Sequence, residues 1–185
     1  MTWQAALQGA LHRNRSYEGV RYVQLATVSP DGTPSVRTVV FRNLDGDVLQ
    51  FAVDSRSDKI EHLQHCPQAA VCWYFPKTRE QFRFSGTAAL ITATSTDHQA
   101  ERQALWDKMS LKGRLLWYWP TPKAPRDHAI PFLEAAPADP EPPPEFVLLR
   151  LNPHTVDHLQ LRGEPQNRTL YTCEHKSWQA LAVNP

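Results

Sequence analysis

At 185 residues, 41% of them apolar and 10% aromatic, the chain has enough hydrophobic side chain to bury one core, which excludes a disordered polymer. Its 20 Lys and Arg balance 19 Asp and Glu to a formal net charge of +1, so no whole-molecule field favours nucleic acid and any anion recognition must be local. No run reaches the roughly 18 apolar residues of a membrane helix, the N-terminal "MTWQAALQGALHRNRSYEG" lacks the pattern of a signal peptide, and Cys66, Cys72 and Cys173 show no CxxC spacing, so a cytoplasmic protein with reduced thiols and no membrane partner is expected.

In chain order, Trp3, Leu7, Ala10 and Leu11 recur at helical spacing and predict an amphipathic helix over residues 3–15. "VRYVQLATVS" alternates as a strand, with Val23 and Leu25 on one face and Tyr22 and Gln24 on the other. "PDGTP" and "NLDGD" are turn sequences, which makes residues 20–53 a three-stranded antiparallel meander. A short helix follows, with Ser57 as N-cap, Ile60 and Leu63 apolar, and Pro67 as its stop. "QAAVCWYF" and "EQFRFSGTAALI" read as strands whose aromatics, Trp73, Tyr74, Phe82 and Phe84, belong to a core. Residues 95–118 read as a helical insertion broken near Lys112 and Gly113.

Residues 120–144 hold nine prolines and form an excursion that cannot be regular helix or central strand. "EFVLLRLNP", "TVDHLQL" and "RTLYTCEHKSW" predict three further strands. About eight strands with flanking helices indicate a mainly β, antiparallel Greek-key barrel in one domain, 1–185.

The charge in "PSVRTVVFRNLDGDVLQFAVDSRSDK" calls for an account. Alternation puts Arg37, Val39 and Phe41 on one face of a strand and Thr38, Val40 and Arg42 on the other. A guanidinium flanked by Val36, Val39 and Val40 either stays on a half-solvated face or meets an anion, because it cannot deprotonate. The hairpin brings Arg37 alongside Ser57, Lys59 and a helix start, a set suited to phosphate. His62, His65 and Cys66 lie close in sequence but lack a fourth ligand, so no metal is expected. Aromatics interleave with arginines as in single-strand nucleic-acid binders, yet their strand positions assign them to packing.

These residues carry a resemblance. "RTVVFR", "FAVDSRSDK", the helix ending in "CP" and "TREQFRFSG" resemble, in order, the blocks of the pyridoxamine 5'-phosphate oxidase superfamily of FMN-binding split β-barrels, over roughly residues 20–185. The pattern with "WYWP" and a terminal "NP" is more like its uncharacterised branch from cyanobacteria and other bacteria. The resemblance implies a homodimer with FMN at the subunit interface. Arg37 and Lys59 would hold the phosphate with Ser57, and Thr38, Val39, Val40 and Arg42 would run along the flavin. Gln81 would hydrogen-bond the ring. The segment containing Trp119 would reach the partner's FMN, and Arg168 would stabilise charge on the ring during hydride transfer at flavin N5.

Asp58 stands where the family has its second basic residue, with Arg56 the candidate replacement. On the substrate side, Glu164 and Gln166 replace a basic residue and a histidine, and of Arg102, Trp106 and Ser110 in the insertion only Ser110 agrees with the family. The implied function is an FMN-dependent oxidoreductase acting on an unknown small molecule. Two alternatives stand beside it: a pyridoxamine/pyridoxine 5'-phosphate oxidase using Arg42 and Arg102, and a non-catalytic binder of flavin or haem.

Overall fold

The computed structural model describes residues 2–137 and 141–185. Helix α1, Trp3–Arg13, begins after Thr2, whose hydroxyl accepts from the Ala5 amide, and buries Trp3, Leu7 and Ala10. A 3-10 turn, Glu18–Arg21, displaces the start of the first strand from the expected Val20 to Tyr22. Strands β1 (Tyr22–Val28), β2 (Pro34–Asp45) and β3 (Val48–Asp54) form the meander, then helix α2 (Lys59–His65) leads into β4 (Gln68–Phe75) and β5 (Glu80–Ile91). The insertion breaks earlier than the glycine suggested, into α3 (Gln99–Asp107) and α4 (Leu111–Arg114), because Ser110 caps the second piece through the Gly113 amide.

Strands β6 (Phe146–Gln160), β7 (Asn167–Glu174) and β8 (Ser177–Val183) complete the sheet. Its order, β3-β2-β1-β4-β5-β6-β7-β8 with β3 also paired to β6, closes six antiparallel strands into a barrel and leaves β7 and β8 as a wing. β4 returns beside β1 after the β1–β3 meander, which is the Greek-key connection. Among the described residues, no helix is long and apolar enough to cross a membrane.

The last third of the chain departs from the strand assignment in an instructive way. The two stretches divided at Pro153 are one strand, β6, and the final stretch is the β7–β8 hairpin. Residues up to Leu151 of β6 pair with β3 and those from Thr155 pair with β7, so Pro153 sits where the strand exchanges one partner for another. A missing N–H is tolerated there. Opposite it, the β5–β6 register shifts between Ser85 and Gly86, and a Cβ on Gly86 would lie 2.2 Å from the Asn152 carbonyl oxygen.

The barrel interior is aromatic. Phe41, Trp73, Phe75, Phe82 and Phe84 lie at successive centroid separations of 4.6–6.2 Å, and Trp3 packs edge-on to Phe84. Tyr74, assigned to this core by its strand, is 45% exposed because it faces the outer side of β4. α1 closes the end beside the β2–β3 and β4–β5 turns, where Gln4 reaches Asp47 and the Asn14 amide bonds Thr78. α2 closes the opposite end with Ile60 and Leu63. A second cluster, Trp106, Trp117 and Phe146, seats α3 against β6.

Under α1, Glu80 is buried beside His158 (Oε2 to Nε2, 2.9 Å) and accepts from Arg13 at 2.6 Å. Burial pushes the Glu80 carboxyl upward, but hydrogen bonds from His158, Arg13 and Thr78 outweigh it and hold the group at about 2. Since the unfolded carboxyl titrates at 4.5, its stabilisation is fully present above that pH and drains away as pH falls toward 2. A Glu80→Gln variant is expected to be less stable at neutral pH by on the order of 3 kcal/mol and to lose the acid-limb slope between those values, measured by urea unfolding across pH. Gly86→Ala is expected to cost about 3 kcal/mol at every pH, because the clash it creates does not titrate.

Candidate functional site

The β2–β3 pairing runs only from Phe41↔Phe51 to the turn, with a register shift between Phe41 and Asn43, while β3 beyond Phe51 pairs with β6 alone. The edge of β2 from Pro34 to Val40 that faces away from β1 is therefore unpaired with β3, and the barrel opens beside α2. Arg37 projects at this opening, on the same side of β2 as buried Val39 and Phe41. Its guanidinium donates to the Leu25 carbonyl (3.1 Å), the Thr27 hydroxyl (2.6 Å) and the Ser35 hydroxyl (2.7 Å). Thr27 in turn contacts His62 Nδ1 at 3.0 Å, so the His62 of the candidate metal cluster is a buried support beneath Arg37. The described residues hold no group of His, Cys, Asp and Glu that could bind a metal.

Lys59 Nζ meets the Ser57 hydroxyl at 2.5 Å. Burial, and then the neighbouring Arg37 charge, push the Lys59 ammonium below its ordinary value, with Asp54 and Asp58 partly offsetting them. Burial likewise lowers Arg37, against the pull of Asp58. Among the described residues neither cation forms an ion pair; both hydrogen-bond to neutral oxygens. Together with Ser35, Val36, Ser57, Asp58, Pro122 and Lys123 they line a cleft of about 230 Å³, large enough for a phosphate group and walled on one side by β2.

Three expectations change here. Ser57 is not a side-chain cap: Asp58 occupies the N-cap, and the Ser57 hydroxyl donates back to the Asp54 carbonyl at 2.6 Å. Arg56 does not replace the missing basic residue, because its guanidinium forks onto the Asp54 carboxylate (2.7 and 2.9 Å) and donates to the Trp119 carbonyl at 2.8 Å. Val39 points into the core, so only its peptide groups face the opening, whereas Thr38 is exposed on the outer face and Val40 partly so. Asp54 organises this whole loop, accepting also from the Arg56 amide; an Asp two positions before Arg is the signal that was available in "DSR".

The remaining candidates lie elsewhere. Gln81 is on the outer face of β5, in register with Tyr74 and Leu159, and Arg168 on β7 is opposite Leu159. Because β3 also pairs with β6, β5 and β7 are each three strand spacings from β2 by the shorter way round the sheet, about 14 Å. Arg168 is held bidentately by Asp157 at 2.7 and 3.0 Å, and Arg83 shares that carboxylate. Trp119 packs within its own chain, edge-on to Phe132 at 5.1 Å. Arg42 is half-buried with an unbonded Nε; burial and then nearby Arg21 lower it, with Tyr22 opposing. Arg102, 4% exposed, donates to the carbonyls of Phe146 and Pro143 at 3.0 and 2.7 Å, so it ties down the proline-rich segment and is unavailable to a substrate.

Outside the barrel, Gln24, Ala26, Val36, Cys72, Arg83 and Asp157 border a groove of about 430 Å³ running from β2 to β7, and Val36, Tyr22, Tyr74 and Leu181 stand exposed on this side of the sheet. At the β6–β7 loop a third hollow, about 720 Å³, is lined by Arg79, Arg162, Glu164 and Gln166.

Comparison with known proteins gives this arrangement its context. Residues 1–92 match the family described as pyridoxamine 5'-phosphate oxidase, FMN-binding domain. The Arabidopsis thaliana pyridoxine/pyridoxamine 5'-phosphate oxidase 2 is 38% identical, over 99% of this chain and 96% of its own. A solved structure of a pyridoxamine 5'-phosphate oxidase-related, FMN binding protein from Nostoc punctiforme superposes with a TM-score of 0.95 at 48% identity, covering 100% of this chain and 98% of that one. PhzG from Burkholderia lata shares the fold at a TM-score of 0.76 and 22% identity, over 99% and 89% of the two chains. The chain belongs to the pyridoxamine 5'-phosphate oxidase family of FMN-binding split barrels, alongside its cyanobacterial member, and FMN is its cofactor.

Two unpaired cations at one cleft predict a response to free anions. Inorganic phosphate should raise the melting temperature above that in chloride of equal ionic strength, and Arg37→Ala should abolish the difference, as read by differential scanning fluorimetry.

Proposed function

We propose that the chain is an FMN-dependent oxidoreductase of a small molecule, that residues 1–185 act as one FMN-binding unit, and that each flavin site is completed by a second copy of the chain. The observation that carries this reading is the pairing of Arg37 with Lys59, without a carboxylate on either, at the unpaired edge of β2. A phosphate dianion in the cleft would remove the repulsion between the two cations and accept charge-assisted hydrogen bonds from both. The ring system is then directed along β2, where Thr38 and Val40 face outward and the free strand edge offers peptide groups. When bound, FMN supplies two-electron redox chemistry, and the protein supplies anchoring, orientation and local charge.

Gln81 and Arg168 are each three strands from that edge and lie on the outer face, so a ring lying on β2 is supported by them most simply from a partner subunit docked on that exposed face. Asp157 fixes the Arg168 guanidinium in orientation while withdrawing part of its charge, which makes Arg168 a directed hydrogen-bond donor more than a free cation. The groove bounded by β2 and β7 offers the apolar area for a two-fold contact.

A second reading, oxidation of a pyridoxine or pyridoxamine 5'-phosphate, is favoured by the name of the Arabidopsis relative and by Arg79 and Arg162 at the β6–β7 hollow, and opposed by Glu164 beside them. The burial of Arg102 removes one of the two replacement ligands that it required.

Co-expression tests the shared site. Arg37→Ala and Arg168→Ala should each weaken FMN binding alone, and a statistical mixture of the two should regain about one quarter of tight sites, because half of the dimers are mixed and each has one intact site. Recovery of none, with dimers present, would show that both arginines serve one chain's flavin, and undiminished binding by Arg168→Ala alone would show that Arg168 serves none. Incubation of the loaded protein with pyridoxamine 5'-phosphate and oxygen, followed by assay of peroxide and pyridoxal 5'-phosphate, separates the two readings: the first expects neither product above the protein-free rate.

A further inference from the structure

The proline-rich segment returns to the cleft. Arg56 holds the Trp119 carbonyl, Trp119 packs edge-on to Phe132, and the Arg126 guanidinium lies 4.1 Å from the Phe132 ring centroid. This clasp fixes a loop whose Pro122 and Lys123 form the wall of the cleft facing Ser57 and Lys59. Lys123 ion-pairs with Asp58 and has a φ of +65°, a backbone conformation that side chains bearing a Cβ rarely adopt. The pair is solvent-exposed on both sides, so it adds little to folding. Its effect is instead on the charge that an entering anion meets.

The charged groups lining the cleft are Arg37, Lys59 and Lys123, against Asp58. Asp54, the other carboxylate acting on Lys59, is neutralised by its fork with Arg56. His62 lies behind Thr27 and is bonded to it. Without Lys123, the Asp58 carboxylate would stand at the rim and repel a phosphate, leaving a lining of net charge +1; with it the lining is +2, equal and opposite to a phosphate dianion. Building on the FMN site proposed above, we propose that Lys123 is a phosphate-site cation supplied by the proline-rich segment, cancelling Asp58 and closing the cleft over the cofactor's phosphate.

The test compares FMN with riboflavin, which lacks the phosphate, by flavin fluorescence titration of the full-length apoprotein. Lys123→Gln should weaken FMN roughly tenfold and leave riboflavin within about twofold of wild type. Adding Asp58→Asn should restore FMN affinity to near the wild-type value, since the lining returns to +2. Equal FMN affinity in wild type and Lys123→Gln, a matching loss for riboflavin, or a double variant no better than the single one would each overturn the assignment. If these failures occur while Arg37→Ala still loses its preference for FMN over riboflavin, the cleft stands and only the role of Lys123 falls. If wild type shows no preference for FMN and Arg37→Ala binds it equally, the phosphate-cleft reading falls as well.

Discussion

Two like charges held together with no carboxylate in direct contact with either are the constraint around which this protein is arranged. Arg37 and Lys59 arrive from different elements, β2 and α2, and each is braced by neutral oxygens: Leu25, Thr27 and Ser35 for one, Ser57 for the other. Folding gains nothing from bringing such groups together; burial and mutual repulsion both disfavour it. The cost is tolerated where the surrounding structure over-determines the geometry, and here it does. Asp54 fixes the loop before α2, Thr27 and His62 support the guanidinium from below, and the β2–β3 register shift ends strand pairing where the cleft begins.

Membership of an FMN-binding family gives that arrangement a purpose, and the sheet sets it apart from the other candidate contacts. Arg37 and Lys59 lie at the mouth beside α2, whereas the candidate ring contacts Gln81 and Arg168 belong to the outer face of strands β5 and β7. A barrel whose outside is as apolar as Val36, Tyr22, Tyr74 and Leu181 make it is suited to association with a second barrel.

Local pattern made much of the fold legible. The amphipathic spacing of Trp3, Leu7 and Ala10, the Asp-Gly turn in "NLDGD" and the alternation in "RTVVFR" each specify an element from nearest neighbours alone, and all three elements are present. Arg37 and Lys59 were legible as a pair because a hairpin followed by a helix start determines their proximity. What escaped depends on contacts across long stretches of sequence. Pro153 reads as a strand break unless its switch between β3 and β7 is known. Arg102 looks like a ligand until its carbonyl partners from residues 143 and 146 are in place. Lys123, within a composition that specifies no regular structure, gives no local hint that it meets Asp58.

The double allegiance of β6 bears on how the molecule comes into being. Strands β1 to β5 emerge first from the ribosome, and until residues 146–151 follow them, β3 and β5 are the two bare margins of an open five-stranded ribbon. The intervening insertion and proline-rich stretch lengthen that interval, during which each margin is a template for pairing with a neighbouring nascent chain. A single late strand, stitched to both margins at once, converts the ribbon into a vessel, so a truncation before it would leave a sticky sheet and not a smaller barrel.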